Sequence, residues 1–159
     1  MGVDDVLAQL EAHGLAHRFV RCETSSATVA LAAQALGCEE GRIAKTLAFA
    51  TGRGPVVVVA MGLARLNNAK FKAFFGEKAR FPQAGDLPGL VGHPAGGVCP
   101  FALKEGVRVC LDESLKAYDP VYPAAGAPDN AVRLTLEELE RVTGGEWVDV
   151  CVVPAPEAS

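Results

Sequence analysis

The sequence predicts an α+β fold: one domain built on a mixed, mostly antiparallel sheet with helices packed against it. Three observations lead there. Helical and strand periodicities follow one another irregularly, without a doubly wound βαβ pattern. Neighbouring strand candidates are separated by short Gly/Pro turns, the mark of hairpins. Half of the 159 residues are hydrophobic, yet no apolar run approaches a membrane span, and the longest, Val56–Met61, suits a buried strand.

The elements follow in order. Val3, Val6, Leu7 and Leu10 fall at helical spacing, and Gly14 is placed to end that helix. Ala16–Arg21 reads as a short strand. Ser25 or Ser26 is positioned to cap a second helix, Ala27–Leu36, stopped by Gly37. Ile43–Ala50 is a strand whose period of two places Ile43, Lys45, Leu47 and Phe49 on one face and Ala44, Thr46, Ala48 and Ala50 on the other. Gly52–Pro55 turns the chain into a second strand, Val56–Ala60. Asn67–Phe75 fits a helix with Ala69, Phe71 and Phe74 or Phe75 inward, Lys70 and Lys72 outward, Asn67 or Asn68 as its cap and Gly76 as its stop. Asp86–Leu90 makes a helical turn, Val107–Leu111 a strand, and Asp112 caps a single turn ending at Leu115. Pro120–Ala124 and Ala131–Leu134 are further strands. Thr135 and Glu138 form a capping-box pattern that opens a helix to Val142. Trp147–Val153 is the last strand. The domain therefore spans residues 1–153, with 154–159 a flexible tail.

Composition excludes several classes. Five cysteines, none in a C-x-x-C spacing, fit neither a zinc ribbon nor a disulfide scaffold. No basic segment followed by a hydrophobic one opens the chain, so a cytoplasmic location is expected. The net charge of −4 argues against bulk affinity for nucleic acid. It conceals an asymmetry, however: residues 1–80 hold ten Lys/Arg against seven Asp/Glu, residues 81–159 five against twelve. There is no phosphate-binding G-x-x-x-x-G-K-[ST], no G-x-G-x-x-G and no H-E-x-x-H.

Two features carry chemistry. Lys45 shares a strand face with three large apolar side chains, a costly position unless its ammonium pairs, lines a cavity or snorkels out. The stretch His93-Pro-Ala-Gly-Gly-Val-Cys-Pro-Phe101 sets Gly96 and Gly97 between Pro94 and Pro100. It is either a tight turn or a stiffened loop that presents backbone N–H groups to an anion or a developing oxyanion. Cys99 is read as a wall residue more readily than as a nucleophile, since only His93 lies near it in sequence as a base. A fixed cation facing a row of amide donors suits a substrate carbonyl or phosphate attacked by water or by a group of its own.

Ile43-Ala-Lys-Thr-Leu-Ala-Phe49, the Lys-Phe-Lys at 70–72, Gly96-Gly-Val-Cys-Pro-Phe101, Asp112-Glu-Ser-Leu115 and the closing Leu-Thr-Leu-Glu-Glu-Leu and Thr-Gly-Gly resemble, in this order over residues 16–150, the YbaK/EbsC family. That family is the free-standing relative of the editing domain inserted in bacterial prolyl-tRNA synthetases. The resemblance implies a barrel-like sheet and a hydrolase that removes the amino acid from mischarged tRNA, above all tRNA(Pro), without metal or organic cofactor. A tRNA acceptor end and prolyl-tRNA synthetase are the implied partners, with no membrane and no DNA. By the same resemblance Lys45 positions the terminal adenosine, and Gly96, Gly97, Val98, Cys99 and Pro100 form the G-x-x-x-P loop that holds the aminoacyl carbonyl. Phe49, Asn68, His93 and Phe101 are expected to line the substrate. Many relatives have Gly where Ala102 stands and Ser or Thr where Cys99 stands, and an acidic residue is common near Asn67 or Asn68. A module of the same fold that binds the tRNA end or the synthetase without turnover is the alternative.

Overall fold

A computed structural model describes residues 3–22, 28–94, 97–127 and 129–154. In chain order these form α1 (Val3–Ala12), β1 (Phe19–Arg21), α2 (Val29–Leu36), β2 (Ile43–Thr51), β3 (Gly54–Met61), β4 (Arg65–Leu66), α3 (Asn68–Phe75), α4 (Leu87–Val91), β5 (Arg108–Asp112), β6 (Tyr122–Pro123), β7 (Asn130–Val132), α5 (Leu136–Thr143), β8 (Glu146–Val148) and β9 (Cys151–Val152), with short 3-10 turns between.

The sheet is mixed, as the sequence predicts, and curls into a half-barrel. Five strands run in the order β6-β2-β3-β5-β8, and β1–β7 and β4–β9 form two-stranded antiparallel additions. The β2–β3 hairpin pairs eight residues antiparallel, including Lys45 with Ala60 and Thr46 with Val59. The parallel contacts of β6, β5 and β8 are shorter.

β3 is buried on both faces because each covers a separate core. Val59 packs with Val6 and Leu10 of α1 and Leu139 and Val142 of α5. Val56, Val58 and Ala60 pack on the other side with Phe49 and with Phe71 of α3. A buried Val side chain contributes roughly 1.5–3 kcal/mol, so the central run of β3 anchors both layers. At the start of β2 the chain passes so close to Tyr118 that a Cβ on Gly41 would lie 2.2 Å from the ring, which explains the glycine.

Several local expectations hold. Asn67 caps α3, Gly76 ends it in the left-handed conformation, and both bonds of the Thr135–Glu138 capping box are made. Others are corrected. Only Phe19–Arg21 of the expected first strand pairs, because its partner β7 offers three residues; Ala16–Arg18 is a 3-10 turn. α2 begins at Val29 with Thr28 as its cap; Ser25, Ser26 and Ala27 lie outside the described residues. Ala69 is exposed, and Lys70 is drawn partly inward by Asp149 at 2.8 Å and the Cys151 carbonyl at 3.4 Å.

The expected last strand is two. β8 runs parallel to β5, and β9 crosses to pair with β4. The switch lies where Oδ1 of buried Asp112 accepts the N–H groups of Val150, at 2.8 Å, and Cys151, at 3.1 Å. Those amides are then unavailable to a sheet neighbour.

Ala102 sits at φ 50°, left-handed backbone that costs an L-residue about 1–2 kcal/mol. Its N–H donates to Oε1 of Gln9 at 2.6 Å, which ties the segment to α1. Ala102→Gly relieves the strain and returns part of the gain as unfolded-chain entropy. It is expected to raise stability by up to about 1 kcal/mol, a shift of roughly 2–4 °C in a thermal melt.

Candidate active site

β2 is bonded to β6 only through Ile43 and Ala44. From Lys45 onward its outer edge leaves β6, and a cavity of about 330 Å³ opens there, near the lower end of the range of small-ligand sites. Lys45, Thr46 and Leu47 line it from β2, with Val98 of the glycine loop, Phe81 from the irregular segment before α4 and Asn130 of β7. Lys45 and Val98 thus line one cavity. They reach it from opposite faces of β2, since Lys45 shares the face of Ala60 whereas Val98 packs with Ala48, Val57 and Val91.

The Lys45 side chain is half-buried and donates to the carbonyl of Ala64, which leaves two ammonium donors for other partners. Burial lowers its pKa below the usual lysine value; Cys151 opposes that shift and Arg65 adds to it. The cost of the apolar strand face is therefore offset by a carbonyl bond and by the cavity.

The glycine loop differs from its expected form. The N–H of Gly97 donates to the Pro94 carbonyl at 2.9 Å, so this amide is used inside the loop. Among the described residues nothing accepts from the Val98 amide, and Val98 is the loop residue that lines the cavity. Gly96 lies outside the described residues. His93, Cys99 and Phe101 are fully buried and make the foundation of the loop. Nε2 of His93 donates to the Phe101 carbonyl at 2.7 Å, tying the two ends together, and the Cys99 Sγ lies 3.5 Å from both that nitrogen and that oxygen. Burial raises the Cys99 thiol to about 11 against the pull of the Phe101 and Gly126 backbone amides, so the thiol stays protonated near neutrality. Pro100 is buried as well.

Two expected contact residues stand elsewhere. Asn68 is exposed on α3, in a separate depression with Lys72 and Lys78. Phe49 is fully buried behind the cavity wall, its ring 4.9 Å from those of Phe71 and Phe81. Phe81 presents the aromatic surface instead; it is 63% exposed. Sequence reasoning passed over Phe81, Thr46 and Asn130. A large aromatic beside a proline in a segment without periodicity was the available sign for Phe81, whereas Asn130 carried none. Among the described residues no three His, Cys, Asp or Glu side chains gather as a metal site requires, and no helix is long and apolar enough to cross a membrane.

Comparison with known proteins bears on this arrangement. The aminoacyl-tRNA editing domain family matches residues 23–142, which include β2, the glycine loop and Asn130. YwhH of Bacillus subtilis is 43% identical over 131 residues, covering 81% of this chain and 83% of its own. EbsC of Enterococcus faecalis, named as a Cys-tRNA(Pro)/Cys-tRNA(Cys) deacylase, is 31% identical over 120 residues, covering 74% and 73%. A crystal structure of a protein assigned as a trans-editing enzyme for prolyl tRNA synthetase superposes with a TM-score of 0.85 at 32% identity, over 93% of this chain and 95% of that one. The half-barrel is therefore the fold this chain shares with the solved trans-editing protein, and the chain belongs to the aminoacyl-tRNA editing domain family, YbaK/EbsC type.

Proposed function

We propose that this chain is a trans-editing aminoacyl-tRNA deacylase, hydrolysing the ester that joins a wrong amino acid to tRNA(Pro). The observation that carries the reading is the shared cavity of Lys45 and Val98, inside the segment that matches the editing domain. Its volume suits one small aminoacyl group. Phe81 offers a face on which the terminal base can stack, and the free donors of Lys45 reach for the ribose or phosphate of the terminal adenosine. The names of EbsC and of the solved trans-editing protein support tRNA(Pro) as the tRNA and prolyl-tRNA synthetase as a partner.

In this mechanism a water oxygen bonds to the ester carbonyl carbon. The carbonyl oxygen takes up negative charge opposite the Val98 amide, and a preorganised backbone donor at that place is worth ~10²–10³ in rate. The carbon–O3′ bond then breaks, O3′ takes the proton released by the water, and free amino acid and deacylated tRNA leave. No thiol nucleophile enters, in keeping with the buried, protonated Cys99.

The test is a panel of tRNA(Pro) charged with alanine, cysteine, serine, threonine or proline, followed for release of labelled amino acid. At least one mischarged species is expected to be hydrolysed well above the spontaneous rate, and Pro-tRNA(Pro) spared. Salt-sensitive binding of all species without turnover would replace the deacylase with a binding module.

A further inference from the structure

A chain of net charge −4 repels a polyanion unless its cations gather where the polyanion lies. They do gather. Residues 65–80 hold five Lys/Arg against one Asp/Glu, which leaves ten against eighteen for the rest of the chain. This segment is β4, α3 and the irregular run after it, and both its ends abut the candidate site. Ala64, just before it, accepts from Lys45, and Phe81, just after it, lines the cavity. Through Phe71, α3 packs on the face of the sheet that Lys45 shares with Ala60.

Two of the five cations are spoken for: Arg80 is held by Glu77 at 3.2 Å and Lys70 by Asp149 at 2.8 Å. Arg65, Lys72 and Lys78 are exposed, and among the described residues no carboxylate or carbonyl accepts from their side chains. Lys72 and Lys78 line one depression of about 400 Å³, with Asn68, Ala69 and Ala79 and no carboxylate. Arg65 stands near enough to Lys45 for the two charges to oppose each other, a repulsion that a bound anion relieves. Arg65 precedes α3, Lys72 lies in it and Lys78 follows it. A helix of eight residues is about 12 Å long, so the charges follow a path, as the phosphates of a backbone do, and do not converge on one compact anion.

Resting on the reading of the cavity as the site of an aminoacyl-tRNA ester, we propose that the face of β4, α3 and Lys78 docks the RNA backbone next to the esterified adenosine, with Arg65, Lys72 and Lys78 each neutralising a phosphate. An amino acid lodged in the cavity leaves its RNA outside, and this is the cationic ground that adjoins. An acidic protein segment would meet the same charges, but it would not account for their bordering the cavity at both ends.

The experiment measures binding of uncharged tRNA(Pro) against salt concentration, beside kcat/KM for the mischarged tRNA(Pro) that the wild type hydrolyses fastest. The variant is Arg65→Gln/Lys72→Gln/Lys78→Gln. Arg141→Gln is the control, an exposed cation on α5, which packs on the opposite core. The triple variant is expected to bind about tenfold or more weakly near 0.1 M salt, with the slope of log K against log salt shallower by about two to three, and to lose kcat/KM through KM. The control is expected to stay within about twofold of the wild type. Circular dichroism and thermal melts establish that the triple variant folds; if it does not, Lys72→Gln and Lys78→Gln singly carry the test, each with a slope change of about one. Unchanged tRNA affinity in the folded variant, or an equal loss in Arg141→Gln, overturns the docking surface. Unchanged tRNA affinity with lost binding of prolyl-tRNA synthetase overturns it too and makes the face a protein contact. A wild type that binds tRNA through these three residues yet hydrolyses no ester sinks the deacylase and keeps the surface.

Discussion

Lys45→Ala is expected to leave a folded protein that releases amino acid from mischarged tRNA roughly a hundredfold or more slowly than the wild type, the scale set by losing one preorganised charged contact. The fold should survive because the ammonium is only half-buried and makes its bond to one carbonyl, that of Ala64. Single-turnover deacylation beside a thermal melt checks both halves, and near-wild-type turnover would remove Lys45 from the mechanism. A pH profile adds a signature. Burial lowers the folded pKa of Lys45, so activity that needs the ammonium is present below that pKa and lost as pH rises through it, earlier than for a lysine near the usual 10.5. Stability moves the other way. Between the depressed folded pKa and the ordinary unfolded one the unfolded chain binds more protons, so the contribution of Lys45 to stability rises with pH across that window. Alkaline loss of rate with no matching loss of fold is the expected pattern once spontaneous ester hydrolysis is subtracted, and Lys45→Ala should abolish it.

The largest effect on stability is expected at Asp112. Oδ1 of this fully buried side chain accepts from Val150 and Cys151 in the core, and its Oδ2 accepts from half-buried Ser114 at 2.9 Å. Asp112→Ala strands three amides and opens a void. At about 1–3 kcal/mol for each unsatisfied buried group, not fully additive, the loss is roughly 3–5 kcal/mol, or about 10–15 °C in melting temperature. Asp112→Asn keeps an oxygen for Val150 and Cys151 but turns an NH₂ toward Ser114, so about 1–2 kcal/mol is expected. Denaturant and thermal unfolding decide the matter, and a loss below 1 kcal/mol for the alanine variant would show that these amides find other partners. The damage should also reach the site. Asp112 holds Val150 and Cys151; Cys151 pairs with Leu66 of β4; β4 follows Ala64, the residue that accepts from Lys45. Reduced deacylation at temperatures where Asp112→Ala is still folded would report that route.

What could be read from the chain depended on how near in sequence the deciding partner lies. The hairpin, the Asn67 cap, the capping box and the glycine stops are local, each settled by residues within a turn of one another, and each is present. The break between β8 and β9 was hidden because its cause, Asp112, lies 38 residues away from Val150. Lys45 stood out because a cation among large apolar residues violates alternation. Thr46 did not, because a small polar residue among alanines violates nothing. Asn130 acquires its meaning only when β7 meets the open edge of β2. The two glycines signalled a special loop correctly, but which amide stays free depends on Pro94 folding back to accept from Gly97.

Because neighbouring positions of β2 serve different masters, the strand cannot be lengthened by one residue upstream of its cation. A single insertion between Gly41 and Lys45 would swap the two faces, sending the ammonium to the level of Val59 and the threonine hydroxyl to that of Val58. Inserting two would restore the alternation yet slide the charge about 7 Å along the edge, out of reach of Ala64. Functional versions of this chain should thus vary in length at the Gly52–Arg53 turn and hold the count fixed between the glycine beneath Tyr118 and the lysine.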